Sequence, residues 1–319
     1  MHKWGKTFLG KQRFRCSQCH ITAIRSRTDI GRKADYELFV RWLTSGRHLE
    51  DIARETRLSV RSLWSHFQPF WPVQPLPKTI QYSPQILVVD GVSVVKRNLM
   101  TLIAQDPFAR QPVGWIFTPR ESYSSWCIFF NELKKQGVYP AFLVCDGQRG
   151  LLKAIHEVWP DTVIQRCLIH IIRQARTWLT QKPKTRAGCE LLILVRLLTT
   201  VTTEAQEIIW TKAYEEWRQK HTSFLKEKTR HPAHNKKWWY THRRMRAVRS
   251  LLTNSLPYIF TFIDHPQVPK TSNHVEGGIN SRIKDLLRIH RGLRPHHQQI
   301  MIAWFLATKQ GQKPTQNFH

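Results

Sequence analysis

With 319 residues, 41% of them hydrophobic, the chain is long enough to bury one large core or two to three domains, which excludes a disordered tail protein. Fifty Lys and Arg against 22 Asp and Glu leave a formal charge of +28, so the surface attracts polyanions in a salt-dependent way. No run reaches the roughly 18 uncharged apolar residues that span a bilayer, and MHKWGKTFLGKQ lacks the apolar centre of a secretory signal; the expectation is a soluble cytoplasmic protein with no membrane partner.

Residues 1–30 are basic, and Cys16 and Cys19 form a CxxC after Arg13, Phe14 and Arg15, the pattern of one zinc-ribbon knuckle. Structural zinc takes four ligands, and the sequence holds no second CxxC. Cys16 and Cys19 are therefore candidate Zn²⁺ ligands that an upstream segment, His2, His20 or a distant pair would complete; two free thiols in a basic arm explain them equally well. The remaining cysteines, at 127, 145, 167 and 189, are too scattered for a disulfide framework.

Residues 31–72 carry helical spacing: Tyr36, Phe39, Val40 and Leu43, then Leu49, Ile52 and Ala53, then Val60, Leu63 and Phe67. Three short helices follow from it, the last capped by Ser59. Arg61, Ser62, Ser65 and His66 face away from its apolar stripe, as in the recognition helix of a helix-turn-helix domain. A small bundle that merely packs fits the same pattern. Four prolines at 69–77 break all helix, and 73–79 reads as a linker.

From residue 80 the texture changes to β-branched runs at 86–89, 99–103 and 113–117, an amphipathic helix at 124–136, a strand at 142–145, a helix at 149–158 and a strand at 162–166. Three antiparallel strands, helix, strand, helix, strand is the order of a ribonuclease H-like α/β fold with a mixed five-stranded sheet. Its first part is expected over 80–170 and its last part over 271–319. Between them the block 171–270 shows no strand signal and reads as an all-helical insertion.

Three acids stand out in this frame. Asp90 and Asp146 each follow an apolar run, at the end of the first and of the fourth strand, and Glu276 opens a helix-like stretch that Thr271, Ser272 and Asn273 would cap. Carboxylates that converge repel one another unless cations sit among them. Two-metal phosphoryl transfer needs such a set, with Asp90 bridging two Mg²⁺ (or Mn²⁺) ions and Asp146 and Glu276 each holding one. Taken singly, each Asp-Gly is equally well a turn.

The residues resemble a family. VVDG at 88–91, CDGQRGLLKAI from Cys145, QRCLIH with Cys167 and His170, YTHRRMR at 240–246 and TSNHVEGGINSRIKDLLRIHRGL at 271–293 look like bacterial insertion-sequence transposases with a Mutator-type DDE domain, in the branch with an N-terminal zinc-binding segment. The resemblance implies that Asp90, Asp146 and Glu276 are the DDE triad and that His170 lies near the scissile phosphate. It implies an activity that cuts and joins an element's ends, on double-stranded terminal inverted repeats and target DNA, by a homodimer or larger assembly without a small-molecule cofactor.

Further contacts to DNA are expected from Lys236, Lys237, Trp238, Trp239, Tyr240, Arg243, Arg244 and Arg246, where basic and aromatic residues interleave as they do for stacking on unpaired bases. Asn280, one turn after Glu276, and Arg282, Lys284, Arg288 and Arg291 would line an entering strand. A non-catalytic DNA-binding regulator and a simple ribonuclease H-like nuclease are the competing readings.

Overall fold

The computed structural model describes residues 1–8, 10–24, 28–95, 98–231, 234–272 and 276–313, with backbone alone at 28–30, 234–236 and 276–277. His2–Lys6 (β1), Gln12–Arg15 (β2) and Thr22–Ile24 (β3) pair antiparallel as a small sheet. Thr28–Ser45 (α1), Leu49–Thr56 (α2) and Val60–Phe67 (α3) follow. Tyr36, Phe39, Val40, Leu43, Ile52, Leu63 and Phe67 are all buried, and Ser59 Oγ accepts the Ser62 N–H at 3.0 Å. Arg57, in the left-handed region at φ +57°, ends α2 and turns the chain into α3.

Ile86–Val95 (β4), Leu99–Asp106 (β5) and Gln111–Thr118 (β6) form an antiparallel meander; Tyr123–Lys135 (α4), Phe142–Cys145 (β7), Arg149–Val158 (α5) and Val163–Arg166 (β8) follow. The five-stranded mixed sheet runs β6-β5-β4-β7-β8, with β7 parallel to both β4 and β8. Strand alternation sorts its two faces: Leu87, Val89, Leu102, Ala104 and Val113 pack on α4 and α5, whereas Ile103 and Trp115 point to the opposite side. One expectation is corrected here. Asp90 does not end its strand, because β4 continues five residues past it, paired with β5 as far as Val95–Leu99.

The block after β8 comprises Leu168–Leu179 (α6), Arg186–Leu197 (α7), Glu204–Lys220 (α8), Thr222–Lys226 (α9), Lys228–His231 (β9), His234–Tyr240 (β10), Arg243–Ser255 (α10) and Thr261–Asp264 (α11). It is not all-helical: β9 and β10 make an antiparallel hairpin. Its residues are too polar to show a strand's apolar alternation, and cation–π contacts support it instead, with Lys228 Nζ 3.9 Å from the Trp238 ring centroid. The block has its own core of α6, α7, α8 and α10, with the Trp210, Tyr214 and Trp217 rings in series along α8.

A π-helical turn, Glu276–Asn280, leads into Ser281–Ile289 (α12), and Pro295–Lys309 (α13) closes the described chain. Helix α13 lies on the second sheet face, and Ile300–Ala307 share one core with α1–α3. Residues 73–79 run along it without helix or strand: Trp304 Nε1 donates to the Val73 carbonyl at 3.2 Å, and the Lys78 N–H donates to Gln310 Oε1 at 2.8 Å. Among the described residues no helix is long and apolar enough to cross a membrane.

Candidate active site

Val88 on β4 pairs with Val144 on β7; Asp90 stands two residues on within β4 and Asp146 two residues on, just past the end of β7, and the charges of both act on Glu121. Each is held by backbone. Asp90 Oδ1 accepts the Gly91 N–H at 2.9 Å, and Asp146 Oδ1 accepts the Gln148 N–H at 2.9 Å. Asp146 begins a turn that continues through Gly147 at φ +79°, where the Arg166 guanidinium packs against the backbone and donates twice to the Asp146 carbonyl, from Nε at 3.2 Å and Nη2 at 2.8 Å.

Sequence reasoning missed a third acid here, Glu121, between β6 and α4. A Cβ on Gly91 would lie 2.8 Å from Glu121 Oε2, so the glycine lets this carboxylate rest on the strand beside Asp90. Trp126 Nε1 donates to Glu121 Oε1 at 3.1 Å. Burial, the neighbouring Asp146 charge and, less strongly, that of Asp90 push the Glu121 carboxyl up to about 7. Because Glu121 follows no apolar run, only its place just before the Ser122 cap, five residues ahead of a buried Trp, could have marked it.

A titration consequence follows. Folded Glu121 holds its proton more tightly than the unfolded chain does, so its contribution to stability is complete below the usual carboxylate range and is lost as pH rises through about 7. Without divalent cations, wild-type protein should lose on the order of 1–3 kcal/mol more stability than Glu121→Gln between pH 5 and pH 8. Denaturant titrations at the two pH values check this, and parallel losses in both proteins would refute it.

Asn280 reaches the same place from the far end of the sequence. It is 2% exposed, and its Nδ2 donates to Asp90 Oδ2 at 2.5 Å, while its Oδ1 is buried without a hydrogen-bond partner. Asn280, expected to line an entering strand, thus touches Asp90, where the chain forms a π turn and α-helical phase does not apply. Glu276 begins that turn; its side chain lies outside the described residues. Among the described residues no three His, Cys, Asp or Glu side chains are grouped to hold a metal ion.

Arg282, another expected DNA contact, donates from Nη2 to the Ser45 carbonyl at the end of α1 at 2.7 Å, and its guanidinium sits where a Cβ on Gly46 would be. Lys284, Arg288 and Arg291 are exposed, with Arg288 on Asp285 at 3.1 Å. Of the expected cap Thr271–Asn273, Ser272 donates its N–H and Oγ to Cys167 Sγ at 3.3 and 3.1 Å. Asn273 is outside the described residues. Burial alone would raise the Cys167 thiol, but hydrogen bonds from His170 and Ser272 outweigh it and hold the group below its usual value.

His170 lines an open cleft of about 940 Å³ that starts at Asp146 and runs between α5, α6 and α10. Arg149, Arg166, Gln174 and Asn254 supply its polar wall, and Trp178 and Tyr258 its aromatic one. Beyond it, Arg243 and Arg244 are exposed, as are Lys237 and Trp238, the latter at 48%. Trp239 and Tyr240 are half-buried, and the Lys236 side chain is outside the described residues. Arg246 is half-buried and engaged internally, stacked 3.5 Å from the Tyr240 centroid and donating to the Leu225 carbonyl at 2.9 Å. On α3, Arg61, Ser65 and His66 are exposed and Ser62 is half-buried; His66 Nδ1 lies 3.2 Å from Asp35.

At the amino-terminal sheet the Cys16 carbonyl accepts the His20 N–H at 3.1 Å, a tight turn with His20 at φ +55°. The Cys19 and Gln18 amides and the Cys19 thiol hold the Cys16 thiol down to about 7. That favours thiolate and suits a metal ligand, with no further ligand grouped near it among the described residues.

Comparison with known proteins gives a consistent result. The family described as Transposase, Mutator family, matches residues 91–302. A probable transposase for an insertion sequence element of Corynebacterium diphtheriae is 29% identical over 102 residues, covering 31% of this chain and 30% of that protein. The transposase for IS905 of Lactococcus lactis is 30% identical over 105 residues (30% and 27%). The transposase for ISRM5 of Rhizobium meliloti is 42% identical over 74 residues (23% and 19%). The aligned parts thus span less than a third of the length of these curated relatives.

Proposed function

This chain belongs to the Mutator family of transposases, and from that premise we propose that it is a DDE transposase, binding the terminal inverted repeats of an insertion sequence and catalysing metal-dependent DNA cleavage and strand transfer. The catalytic core in this reading is ribonuclease H-like, α1–α3 form the helix-turn-helix module, and Asp90, Asp146 and Glu276 are the acting acids. The observation that carries it is the placing of Asp90 within β4 and Asp146 just past the end of the parallel β7, both close enough for their charges to act on Glu121, beside a cleft in a chain of charge +28.

Divalent cations fit this place on chemical grounds: the hard-oxygen groups Asp90 and Asp146 both act by their charge on Glu121, and the buried Asn280 Oδ1 lacks a partner. Two Mg²⁺ or Mn²⁺ ions held by Asp90, Asp146 and Glu276 would supply charge stabilisation to the attacking and leaving oxygens. The chain's own residues do the rest. Gly91 and Asn280 fix both oxygens of Asp90, the Gln148 N–H orients Asp146, and Arg166 locks the turn between them. In this reading the cleft guides the reacting strand past His170, while exposed Arg243, Arg244 and Lys237 neutralise its phosphates and Trp238 offers a stacking face. A water or a DNA 3′-hydroxyl forms the new bond to phosphorus as the old P–O bond breaks. Two ends must meet for transposition, so a homodimer or larger assembly on DNA is the expected working form.

The test supplies Mg²⁺, a pre-cleaved duplex bearing the element's end, and a target plasmid. Joined product is the expected result, abolished by chelator and restored by added Mg²⁺ or Mn²⁺. Nicking without joining would replace the proposal with a nuclease, and binding without either with a regulator.

A further inference from the structure

Within the QRCLIH motif, Cys167 has no part in the chemistry above, yet it stands where the polypeptide returns to the sheet after a long excursion. Strand β8 is the outer strand, and its free edge is covered by the returning chain. Gln165 donates from Nε2 to the Ile259 carbonyl at 3.1 Å and accepts the Phe262 N–H at 3.1 Å; Thr261 Oγ1 donates to the Ile164 carbonyl at 2.8 Å. Arg166 Nη1 donates to Ser255 Oγ at 2.7 Å. Past the end of β8 the stitching continues: the Leu168 N–H donates to the Lys270 carbonyl at 3.1 Å, and Cys167 Sγ accepts both Ser272 donors. Cys167 is 0% and Ser272 2% exposed, so water cannot replace these bonds.

We propose that Cys167 and Ser272 form a clasp that positions the Glu276 turn against Asp90 and Asp146, making both of them positioning residues for the cation site. The proposal rests on the DDE reading. Ser272 is the last described residue before the turn that begins at Glu276, and Cys167 directly follows β8, the strand beside β7, just past whose end Asp146 stands: the Cys167 N–H donates to the Cys145 carbonyl at 2.7 Å. One thiol thus ties the segment carrying the third acid to the neighbour of the second. His170, one turn into α6, hydrogen-bonds the same sulfur and faces the cleft, so it acts through the clasp as well as on bound DNA. A sulfur acceptor suits the place because it is large enough to receive two donors from one residue.

The test compares Cys167→Ala, Cys167→Ser and Ser272→Ala with wild type, and uses Asp90→Asn and Glu276→Gln as controls. Partners that orient metal ligands typically affect metal affinity or activity about 10–100-fold. Calorimetric Mn²⁺ binding should therefore weaken about tenfold or more in Cys167→Ala and less in Ser272→Ala, which keeps the N–H donor. Cys167→Ser should restore most of the affinity, since a hydroxyl still accepts, and binding of end-bearing duplex should stay unchanged throughout. Wild-type Mn²⁺ affinity in Ser272→Ala and Cys167→Ala, with loss in both controls, overturns the clasp alone. Wild-type affinity in the controls overturns the triad itself. Should Cys167→Ala fail to fold, equal affinity in Ser272→Ala and wild type overturns the clasp, and weakening there that follows loss of the single hydroxyl supports it.

Discussion

Asp90→Asn should reduce strand joining by at least about 10³-fold while changing stability by no more than about 1 kcal/mol. The two halves of this expectation have separate causes. Loss of the negative charge removes the group best placed to bridge two cations, and no other described carboxylate occupies the middle of β4. Tolerance of the amide comes from Asn280. In the wild type Asp90 accepts from the Gly91 N–H through one oxygen and from the Asn280 amide through the other. The replacement keeps a single oxygen, which stays on Gly91, and its new NH₂ group would face the Asn280 NH₂. Asn280 resolves this by turning over, because its own Oδ1 has no partner to lose. Joining assays and denaturant melts check the two halves independently. A variant that unfolds would contradict the amide turnover, and one that joins DNA at a tenth of the wild-type rate would remove Asp90 from the chemistry.

Gly147→Ala should cost about 3–5 kcal/mol, the largest effect expected of any single methyl group in the molecule. Its Cβ would fall 1.8 Å from Arg166 Nε, on a residue at φ +79° where an L side chain is itself strained. Arg166 has no room to retreat, since its guanidinium is held by the Asp146 carbonyl on one side and Ser255 on the other. Either the guanidinium leaves a buried position or the Asp146 turn opens, and each outcome moves a residue of the candidate site. Gly31→Ala is the natural control: it lies in α1 at an exposed position with nothing within 4 Å, where alanine should stabilise by up to about 1 kcal/mol. Chemical denaturation of both variants checks the contrast, and equal midpoints would refute it.

Most of the sheet was legible because β4 opens on a buried, β-branched run and β7 is a buried apolar one, and Asp146 was legible because it follows β7 directly. Asp90 was placed at the end of its strand, which instead runs on to Val95. Here Gly91 serves to admit Glu121, a contact between residues far apart in sequence that no local pattern encodes. The β9–β10 hairpin was hidden for a different reason: its stabilising contacts are between lysine and tryptophan and between arginine and tyrosine, so the period-two apolar signal is absent. Asn280 was placed on the Glu276 face and Arg282 beside an entering strand on the assumption of an unbroken α-helix. The π turn shifts that phase, and their partners, Asp90 and Ser45, lie roughly 190 and 240 residues away in sequence.

The merged core of α1–α3 and α13, together with the Arg282 bond to Ser45, bears on how far along a DNA duplex this protein measures. If α3 reads base pairs at an element's end, its offset from Asp90 is a fixed ruler, set by side-by-side packing and indifferent to the length of the tether at 73–79. Lengthening that tether would leave the cut position where it was, whereas thinning the aromatic contacts among Tyr36, Phe70 and Trp304 would blur it by a base pair or more.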